Sequence, residues 1–250
     1  MKIDGAAVLL TGATGGIGSA AARALAGRGA SLVLTGRSEP GLREIAAKTS
    51  AHWIAADLTS PPDLDRCAQE ARSAFGRIDI LINNAGLGWS GRLAAMESDK
   101  LETMVALNLL APMRLTRALL AGMIERRGGH VVNVASIVGY LPVAEEVAYS
   151  ATKAGIVAFS EALRLELRGT GVGVSVVAPG VVATRFFERR GVAYSRRFPS
   201  PMPPERVAQA IVRAIEEDTP EAIVPRWLNI PVRLRGTAPG LYRALAARFG

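Results

Sequence analysis

The sequence is poor in the residues that cross-link small proteins or bind metals. Its 250 residues include one cysteine, Cys67, and two histidines, His52 and His130. A single cysteine excludes an intramolecular disulfide and a cysteine-based zinc site, and two histidines argue against a histidine-rich metal site. Both histidines fall at the starts of predicted strands, so we read them as structural. We therefore expect no metal centre and a fold that is stabilised by its apolar core.

The chain also lacks long uncharged apolar runs. None approaches the roughly 18 residues that a membrane-spanning helix needs. The first apolar run, residues 6–11, is too short for the apolar region of a secretory signal and has no basic lead-in. We read the protein as cytoplasmic.

Aromatic residues are scarce, and positive charge is unevenly distributed. Aromatics make up 5% of the chain, and the net charge is +8. Residues 185–250 carry 12 Lys and Arg against 6 Asp and Glu, so +6 of that charge lies in the last quarter. Nucleic-acid binding usually combines a basic helix face with aromatic residues. Aromatics are few here and no block of Lys and Arg follows a helix face, so we predict no nucleic-acid partner. Anionic small molecules or an anionic surface also fit this charge.

Short apolar segments alternate with segments of helical period along the chain. This alternation indicates βαβ units, and the continuously apolar strands indicate a sheet covered on both faces. We predict an α/β protein with a single Rossmann-type, doubly wound parallel sheet flanked by helices on both faces. The predicted strands are 6–11, 31–35, 52–55, 78–83, 130–135, 172–178 and 222–224, and the predicted helices are 18–27, 41–48, 64–74, 100–126, 149–168 and 205–216.

The last quarter of the chain departs from this rhythm. Residues 184–204 mix aromatics, arginines and prolines, and a loop of this length in a compact domain is often a lid. We predict one domain over residues 1–225, which includes this lid, and a basic amphipathic C-terminal extension over residues 226–250. In the extension Leu241, Leu245 and Phe249 share one helical stripe. Contact with a membrane surface is one interpretation, but docking on the body or on a second subunit is favoured.

A glycine-rich turn directly follows the first predicted strand. It reads Thr-Gly-Ala-Thr-Gly-Gly-Ile-Gly over residues 11–18 and opens a helix. Glycines permit a tight turn and close approach to a pyrophosphate, and the helix N-terminus offers N–H groups to phosphates. A plain turn is the alternative, since the spacing is not G-x-G-x-x-G. We predict that this turn binds a dinucleotide through Gly12, Thr14, Gly15, Gly16, Ile17 and Gly18.

The end of the second predicted strand indicates which dinucleotide is bound. Nicotinamide-binding folds often carry an acidic residue there, but this strand ends at Arg37 and Ser38. Arg37 would pair with a 2′-phosphate, aided by the Ser38 hydroxyl, so we predict NADP(H) over NAD(H). The alternative is that Arg37 is an ordinary surface arginine. Asp57 and Leu58 follow the third strand and are assigned to the adenine, although Asp57 can instead cap the helix that starts after the prolines at 61–62.

Four polar residues have the chemistry of a proton-transfer site. Tyr149 and Lys153 are four apart in a helical segment and so share one face. A phenol has a pKa near 10, which a nearby ammonium lowers, so Tyr149 can exchange a proton with a carbonyl or alcohol oxygen. Ser136 ends the fifth strand, where it can hydrogen-bond that oxygen. Asn108 interrupts an apolar stretch and needs partners, for which the backbone of its own helix is the simple alternative.

Together these motifs resemble those of the short-chain dehydrogenases/reductases, over roughly residues 5–225. The resemblance rests on the glycine-rich turn, Asn-Asn-Ala-Gly at 83–86, the four polar residues and Pro-Gly at 179–180. It implies that Asn108, Ser136, Tyr149 and Lys153 are catalytic, that Lys153 also holds the nicotinamide ribose, and that Asn108 holds a water of a proton relay. It further implies that Asn83 braces the sheet and that the cofactor contacts Asn84, Ala85, Gly86, Tyr149, Lys153, Pro179, Gly180, Val182 and Thr184.

The resemblance also implies a homodimer or homotetramer that assembles through the long helices 100–126 and 149–168. The predicted substrate pocket is edged by residues 87–91, 137–146 and 184–204. Its largely apolar wall indicates a hydrophobic carbonyl or secondary alcohol, unless these side chains pack on one another. Lid arginines could meet an anionic head group or form a solvated surface. The wall residues are Trp89, Ile137, Val138, Leu141, Val143, Phe186, Phe187 and Phe198, and the arginines are Arg185, Arg189, Arg190, Arg196 and Arg197.

The sequence therefore predicts an NADP(H)-dependent oxidoreductase that moves a hydride between nicotinamide and a carbonyl or secondary-alcohol carbon. Two alternatives belong to other classes of protein. One is a non-catalytic NADP(H)-binding sensor or scaffold, and the other is a protein that binds an anionic surface through its basic C-terminal extension. The intact set of four polar residues favours the enzyme.

Overall fold

The fold is built on one parallel sheet of seven strands. The structure is a computed structural model that describes residues 1–192, 194 and 198–249, and the side chains up to residue 244. Every neighbouring strand pair is parallel. The strands are β1 (Ala7–Thr11), β2 (Ser31–Gly36), β3 (His52–Ala55), β4 (Ile80–Asn83), β5 (Gly129–Val134), β6 (Val172–Pro179) and β7 (Glu221–Val224), in the order β3-β2-β1-β4-β5-β6-β7.

Helices follow the strands along the chain. They are α1 (Gly16–Ala26), α2 (Glu39–Thr49), α3 (Pro61–Phe75), α4 (Ser98–Val105), α5 (Ala111–Glu125), α6 (Val147–Glu166), α7 (Phe186–Arg189), α8 (Pro204–Glu216), α9 (Asn229–Thr237) and α10 (Pro239–Phe249). Each predicted strand and helix is present, with boundaries that shift by a few residues. α3 begins at Pro61 and not after the prolines, because the first turn of a helix needs no N–H donors.

The helices cover both faces of the sheet, as predicted. On one face α1, α2 and α8 pack on strand residues such as Val8 and Leu10. On the other face α3, α5 and α6 pack on the alternate residues, such as Leu9 and Leu81. Because side chains alternate across a strand, the continuously apolar strands supply both layers of the core. The strand order reverses between β1 and β4, and ligands of such sheets bind where this happens.

The helix predicted over 100–126 is continuous from Ser98 to Glu125 but changes its winding in the middle. Residues Ala106–Leu110 form a π-helical turn between α4 and α5. By length and composition this helix is apolar enough to cross a membrane. Its inner side, which includes Leu115 and Leu119, is buried in the core of the sheet.

The lid and the extension adjoin the carboxyl edge of the sheet. Two backbone hydrogen bonds join the two ends of the lid. The Met202 N–H donates to the Val181 carbonyl at 2.9 Å, and the Ala183 N–H donates to the Met202 carbonyl at 2.8 Å. The extension forms a short 3-10 turn, Arg226–Leu228, followed by α9 and α10. The predicted stripe positions Leu245 and Phe249 have side chains outside the described part.

Candidate active site

Two adjoining cavities lie at the carboxyl ends of the strands. The first, of about 520 Å³, covers the glycine-rich turn, and we call it the glycine cavity. The second, of about 460 Å³, surrounds Tyr149, and we call it the tyrosine cavity. Both are lined by Ile17, Asn84, Gly86 and Thr184, so the two cavities form one continuous groove.

The structure brings most of the predicted residues to this groove. Two predicted residues line neither cavity: Asn108, which is buried, and Ser38. The glycine cavity is lined by Gly12, Thr14, Gly15, Gly16, Ile17, Gly18, Arg37, Asp57, Leu58, Asn84, Ala85, Gly86 and Thr184. The tyrosine cavity is lined by Asn84, Gly86, Ser136, Tyr149, Lys153, Pro179, Gly180, Val182 and Thr184.

The glycine-rich turn leaves no room for side chains. Gly12 has a φ of +67°, and a Cβ there would lie 2.7 Å from the Cα of Ala85. A Cβ on Gly16 would meet the Thr184 side chain, and one on Gly18 would meet the Gly12 carbonyl. α1 begins at Gly16 with no acidic residue in its first turn and no side-chain cap. Its first N–H groups and the positive end of its dipole therefore face the cavity, which suits a phosphate group.

A hydrogen-bond network holds this turn against the end of β4. The Thr11 hydroxyl accepts from the N–H groups of Asn84 at 2.9 Å and Ala85 at 3.0 Å. The Asn84 amide donates to the carbonyls of Thr11 at 2.9 Å and Gly12 at 3.1 Å. Thr11 was missed as a site-forming residue, because it reads as an ordinary strand residue until β1 and β4 are paired. Asn83 lies in the sheet and donates to the side-chain oxygen of Asn133 at 2.8 Å.

Of the residues that follow β2 and β3, Arg37 and Asp57 line the glycine cavity, whereas Ser38 does not. Arg37 is exposed and lines the glycine cavity. The Ser38 hydroxyl accepts from the Gly41 N–H at 3.3 Å and thus caps α2. The alternative in which Asp57 caps α3 is wrong, because Ser60 precedes that helix. Asp57 instead accepts from the N–H and hydroxyl of Thr59, at 3.0 and 2.7 Å, so it stabilises its own turn at the cavity wall.

Tyr149, Ser136 and Lys153 converge in the tyrosine cavity. α6 supplies Tyr149 and Lys153 one turn apart, and Ser136 lies two residues beyond the end of β5. All three are buried. The Lys153 ammonium donates to the Val134 carbonyl at 2.9 Å and lies 5.8 Å from the centroid of the Tyr149 ring. The ring of Phe186, from the lid, lies 5.5 Å from the Tyr149 ring on a tilted plane. The lid therefore covers the tyrosine.

Asn108 lies in the π-helical turn and hydrogen-bonds to the loop after β4 and to α6. Its side chain accepts from the Leu87 N–H and donates to the Leu87 carbonyl, both at 2.8 Å. It also donates to the Thr152 hydroxyl at 3.2 Å, and that hydroxyl donates to the Tyr149 carbonyl at 2.8 Å. The alternative in which Asn108 bonds the backbone of its own helix is wrong, since its backbone partner is the loop after β4. A Cβ on Gly86 would lie 3.3 Å from its side-chain oxygen.

Burial dominates the protonation of the two titratable groups. It raises the pKa of Tyr149 above its usual value of 10.0, against the hydroxyl of Ser136, which lowers it. Glu146 raises this pKa further, and Arg190 lowers it. Burial also lowers the pKa of Lys153 from 10.5 to about 8. The expected lowering of the Tyr149 pKa by Lys153 is absent: Lys153 is not among the groups that change this pKa, and burial has the largest effect.

The walls of the tyrosine cavity are largely those predicted. Trp89 does not line it but packs in an apolar cluster with Tyr149. Phe198 does not line it either: it is exposed and stacks on Trp227 at 5.5 Å. Trp227 and Leu228 of the extension line the cavity, and no local sequence signal places them there. The predicted wall residues that line it are Ile137, Val138, Leu141, Val143, Phe186 and Phe187.

The lid arginines do not act as one group. Arg190 lines the tyrosine cavity but forms an ion pair with Glu146, so its charge is already balanced. Arg185 and Arg189 line the glycine cavity instead. Arg196 and Arg197 lie outside the described residues. Among the residues that are described, no three His, Cys, Asp or Glu side chains are close enough to hold a metal ion.

Val182 lies three residues beyond the end of β6 and lines the tyrosine cavity. Val182 is buried, and its carbonyl accepts from the Thr184 N–H at 2.9 Å. Within the described part of the chain, no backbone oxygen accepts from the Val182 N–H. The Thr184 hydroxyl accepts from the Phe186 N–H at 3.3 Å and so begins the lid. This segment can offer a hydrogen bond to a planar amide next to Tyr149.

Comparisons with known proteins agree with this geometry. The family model of the short chain dehydrogenases matches residues 6–193. The ketoacyl reductase HetN of Nostoc sp. is 40% identical over 232 residues, which cover 89% of this chain and 79% of HetN.

Solved structures share the whole fold. A short-chain dehydrogenase from Sphingobium yanoikuyae in complex with NADPH is 31% identical with a TM-score of 0.83, over 97% of this chain and 95% of that one. A short chain dehydrogenase/reductase from Burkholderia phymatum in complex with NAD is 26% identical with a TM-score of 0.88, over 96% of both chains. The sheet, the motifs and these matches together establish that the chain belongs to the short-chain dehydrogenase family of oxidoreductases.

Proposed function

We propose that the protein is an NADP(H)-dependent oxidoreductase that transfers a hydride between nicotinamide and the carbonyl or secondary-alcohol carbon of a hydrophobic substrate. One observation carries this proposal. Tyr149, Ser136 and Lys153 line the tyrosine cavity, which is largely apolar and adjoins the glycine cavity. A reaction between a dinucleotide and an apolar substrate needs that junction.

The glycine cavity fits a dinucleotide in shape and in charge. Gly12, Gly16 and Gly18 keep the backbone bare where a pyrophosphate approaches, and α1 directs its N–H groups there. Val182 lines the same cavity as Tyr149, and its N–H, which has no backbone acceptor in the described part of the chain, would hold a carboxamide. The bound cofactor supplies or accepts the hydride. All other chemistry belongs to side chains of this protein.

NADP(H) is favoured over NAD(H) by Arg37. Related proteins of this fold have been seen with NADPH and with NAD, so family membership leaves the choice open. The glycine cavity has no carboxylate directly after β2, where one would hold a ribose 2′-hydroxyl and repel a 2′-phosphate. Arg37 lies there instead and can pair with that phosphate.

Tyr149 is the proton donor in reduction and the proton acceptor in oxidation. Burial keeps it protonated in the free protein, ready to donate to a carbonyl oxygen. Ser136 is placed to hydrogen-bond the same oxygen and stabilise its developing charge. Lys153 holds the ribose and supplies positive charge, and Asn108 positions the loop and α6 around it. The water-holding role that the resemblance assigns to Asn108 is part of this proposal.

The substrate is a hydrophobic carbonyl compound. The tyrosine cavity is walled largely by aliphatic and aromatic side chains, and two of its charged residues, Arg190 and Glu146, form an ion pair with each other. HetN is named a ketoacyl reductase, and a ketoacyl chain combines a carbonyl with an apolar tail. We therefore place medium-length 3-ketoacyl compounds first among candidate substrates.

The protein acts in the cytoplasm as a homodimer or homotetramer. Exposed apolar side chains lie along the helices from Ser98 to Glu125 and from Val147 to Glu166. A partner subunit would bury them. They are Leu101, Leu110, Met113, Ile124, Val147 and Leu165.

Removing the phenol oxygen of Tyr149 tests the proposed function. NADPH oxidation is followed with 3-ketoacyl substrates, for the wild type and for Tyr149→Phe. Loss of the general acid is expected to lower kcat about 100- to 10,000-fold, while NADPH binding, measured by fluorescence, persists. If the wild type binds NADPH but turns over no carbonyl compound, the result would favour the alternative of a non-catalytic sensor or scaffold. Absence of nucleotide binding would reject both.

A further inference from the structure

Exposed apolar side chains lie beside the tyrosine cavity, and two of them line it. We call Val192, Phe198, Trp227 and Ile230 the mouth patch; their exposed fractions are 47%, 71%, 41% and 71%. Phe198 stacks on Trp227 with the rings 28° apart, and Ile230 follows one turn later. Val192 and Trp227 also line the cavity. The patch therefore connects the cavity to the surrounding medium.

A cluster of this kind differs from scattered surface residues. Single exposed apolar side chains are common and need no partner, but clusters beside a binding site usually mark an interaction surface. Both large aromatic rings of the patch present an edge or face to solvent. Aromatic side chains are especially frequent where one end of a residue is in apolar surroundings and the other in water, as at the surface of a membrane.

The charged residues of the 3-10 turn and of α9 are all arginines. Arg226 precedes Ile230 by one helical turn, and Arg233 follows it by one turn; both are exposed. Neither forms an ion pair within the described part of the chain. The chain has no Asp or Glu after Glu221. The carboxylates that line the cavity, Glu145 and Glu146, come from another segment, and Glu146 is paired with Arg190.

We propose that the mouth patch docks on an anionic phospholipid bilayer. Phe198, Trp227 and Ile230 would enter the headgroup region, while Arg226 and Arg233 would contact lipid phosphates. The cavity mouth would then face the bilayer, where apolar carbonyl compounds partition. This route for the substrate rests on the proposed function, whereas the docking itself does not.

A bilayer fits this surface better than a second copy of the chain. A two-fold contact pairs a patch with itself, so it would bring Arg226 and Arg233 of one copy close to the same arginines of the other. Like charges in contact oppose association, and no carboxylate after residue 221 relieves them. Anionic headgroups instead complement the arginines.

Vesicle co-sedimentation of the full-length protein tests the docking without measuring activity. The probes are vesicles of phosphatidylglycerol mixed with phosphatidylcholine, and vesicles of phosphatidylcholine alone. The variants are Ile230→Ser and the double variant Arg226→Gln/Arg233→Gln. The matched controls are Leu93→Ser, another exposed apolar residue, and Arg206→Gln/Arg213→Gln, which removes the same charge from the exposed side of α8. Circular dichroism verifies that each variant is folded.

We expect the wild type and both controls to bind the anionic vesicles, less at high salt. Each arginine near the surface contributes about fivefold in affinity, so the double arginine variant should bind roughly 30-fold more weakly. Absence of binding at low salt, or equal weakening in the control pair, would overturn the proposal. So would a change of molar mass in Ile230→Ser, measured by light scattering, with vesicle binding unchanged, because the patch would then belong to a subunit contact.

Discussion

Arg190 and Glu146 form an ion pair across the tyrosine cavity. Their side chains are only 9% and 15% exposed. Arg190 follows α7 in the lid and lies over the Phe187 ring, 4.6 Å from its centroid, whereas Glu146 directly precedes α6. Because α6 carries Tyr149 three residues later, the pair joins the lid to the helix of the proposed proton donor. The two charges act on Tyr149 in opposite directions.

The pair therefore predicts opposite shifts in two pH profiles. Reduction needs protonated Tyr149, so the rate falls as pH rises through its pKa. Glu146→Gln removes a negative charge and should move this fall to lower pH, because the Tyr149 pKa drops. Arg190→Met should move it to higher pH. The measurement is kcat/KM for ketone reduction against pH, followed above pH 10, because the Tyr149 pKa is raised above 10.0 and the Lys153 pKa of about 8 gives a separate change. Glu145→Gln is the control, and equal shifts in all three variants would contradict the assignment.

The glycine-rich turn predicts a comparison between two alanine variants. Gly12 and Gly5 both have positive φ, +67° and +71°. A Cβ on Gly12 would lie 2.7 Å from Ala85, whereas nothing lies within 4 Å of one on Gly5. Each variant loses about 1–2 kcal/mol from the left-handed backbone conformation. Gly12→Ala should lose more stability in urea unfolding and also lose NADPH binding. Equal losses in both would show that the close approach to Ala85 is unimportant.

Arg37 predicts a change in cofactor choice without a change in fold. Removing a charge-assisted hydrogen bond of about 1.5–3 kcal/mol should weaken NADPH binding roughly 10- to 100-fold in Arg37→Ala and leave NADH binding unchanged. The control is Arg43→Ala, since Arg43 pairs with Glu39 on α2 and does not line the glycine cavity. Isothermal titration with both cofactors measures the difference. A parallel loss of NADH affinity would argue against 2′-phosphate recognition.

His130 predicts a loss of stability in acid. It is buried in the sheet, 2.8 Å from the Ser175 hydroxyl, and burial lowers its pKa from 6.5 to about 4 despite the nearby Asp218 carboxylate. The unfolded chain therefore binds more protons between these values. Stability is complete above about pH 6.5 and falls toward pH 4, by about 3 kcal/mol from this residue.

Urea unfolding at pH 7 and pH 4.5 measures this contribution. His130→Gln should lose less stability between the two pH values than the wild type, because Gln does not titrate. His52→Gln, which changes an exposed histidine at the start of β3, should behave like the wild type. An unchanged pH dependence in His130→Gln would assign the acid sensitivity to carboxylates.

Local patterns were enough to predict the frame of the protein. Continuous apolar runs and helical periods predicted the strands and helices, because burial of apolar side chains on both faces of a parallel sheet leaves that pattern in the sequence. The glycine-rich turn and the spacing of Tyr149 and Lys153 are also local, since turn geometry and helix period act over a few residues. The resemblance to a known family added Asn84 and Val182, which the residues alone do not mark.

Contacts between distant segments required the tertiary structure. Pairing of Arg190 with Glu146 depends on the path of the lid, and the approach of Trp227 to the cavity depends on where the extension folds back. The exposure of Phe198 and the hydrogen bond from Asn108 to the Leu87 carbonyl also depend on how distant segments pack. Periodicity in the sequence reports which side chains are buried but not which of them meet. The sequence by itself thus determined the sheet, the glycine-rich turn and the candidate proton donor, whereas packing between segments far apart in the chain decided the shape, charge balance and surroundings of the tyrosine cavity.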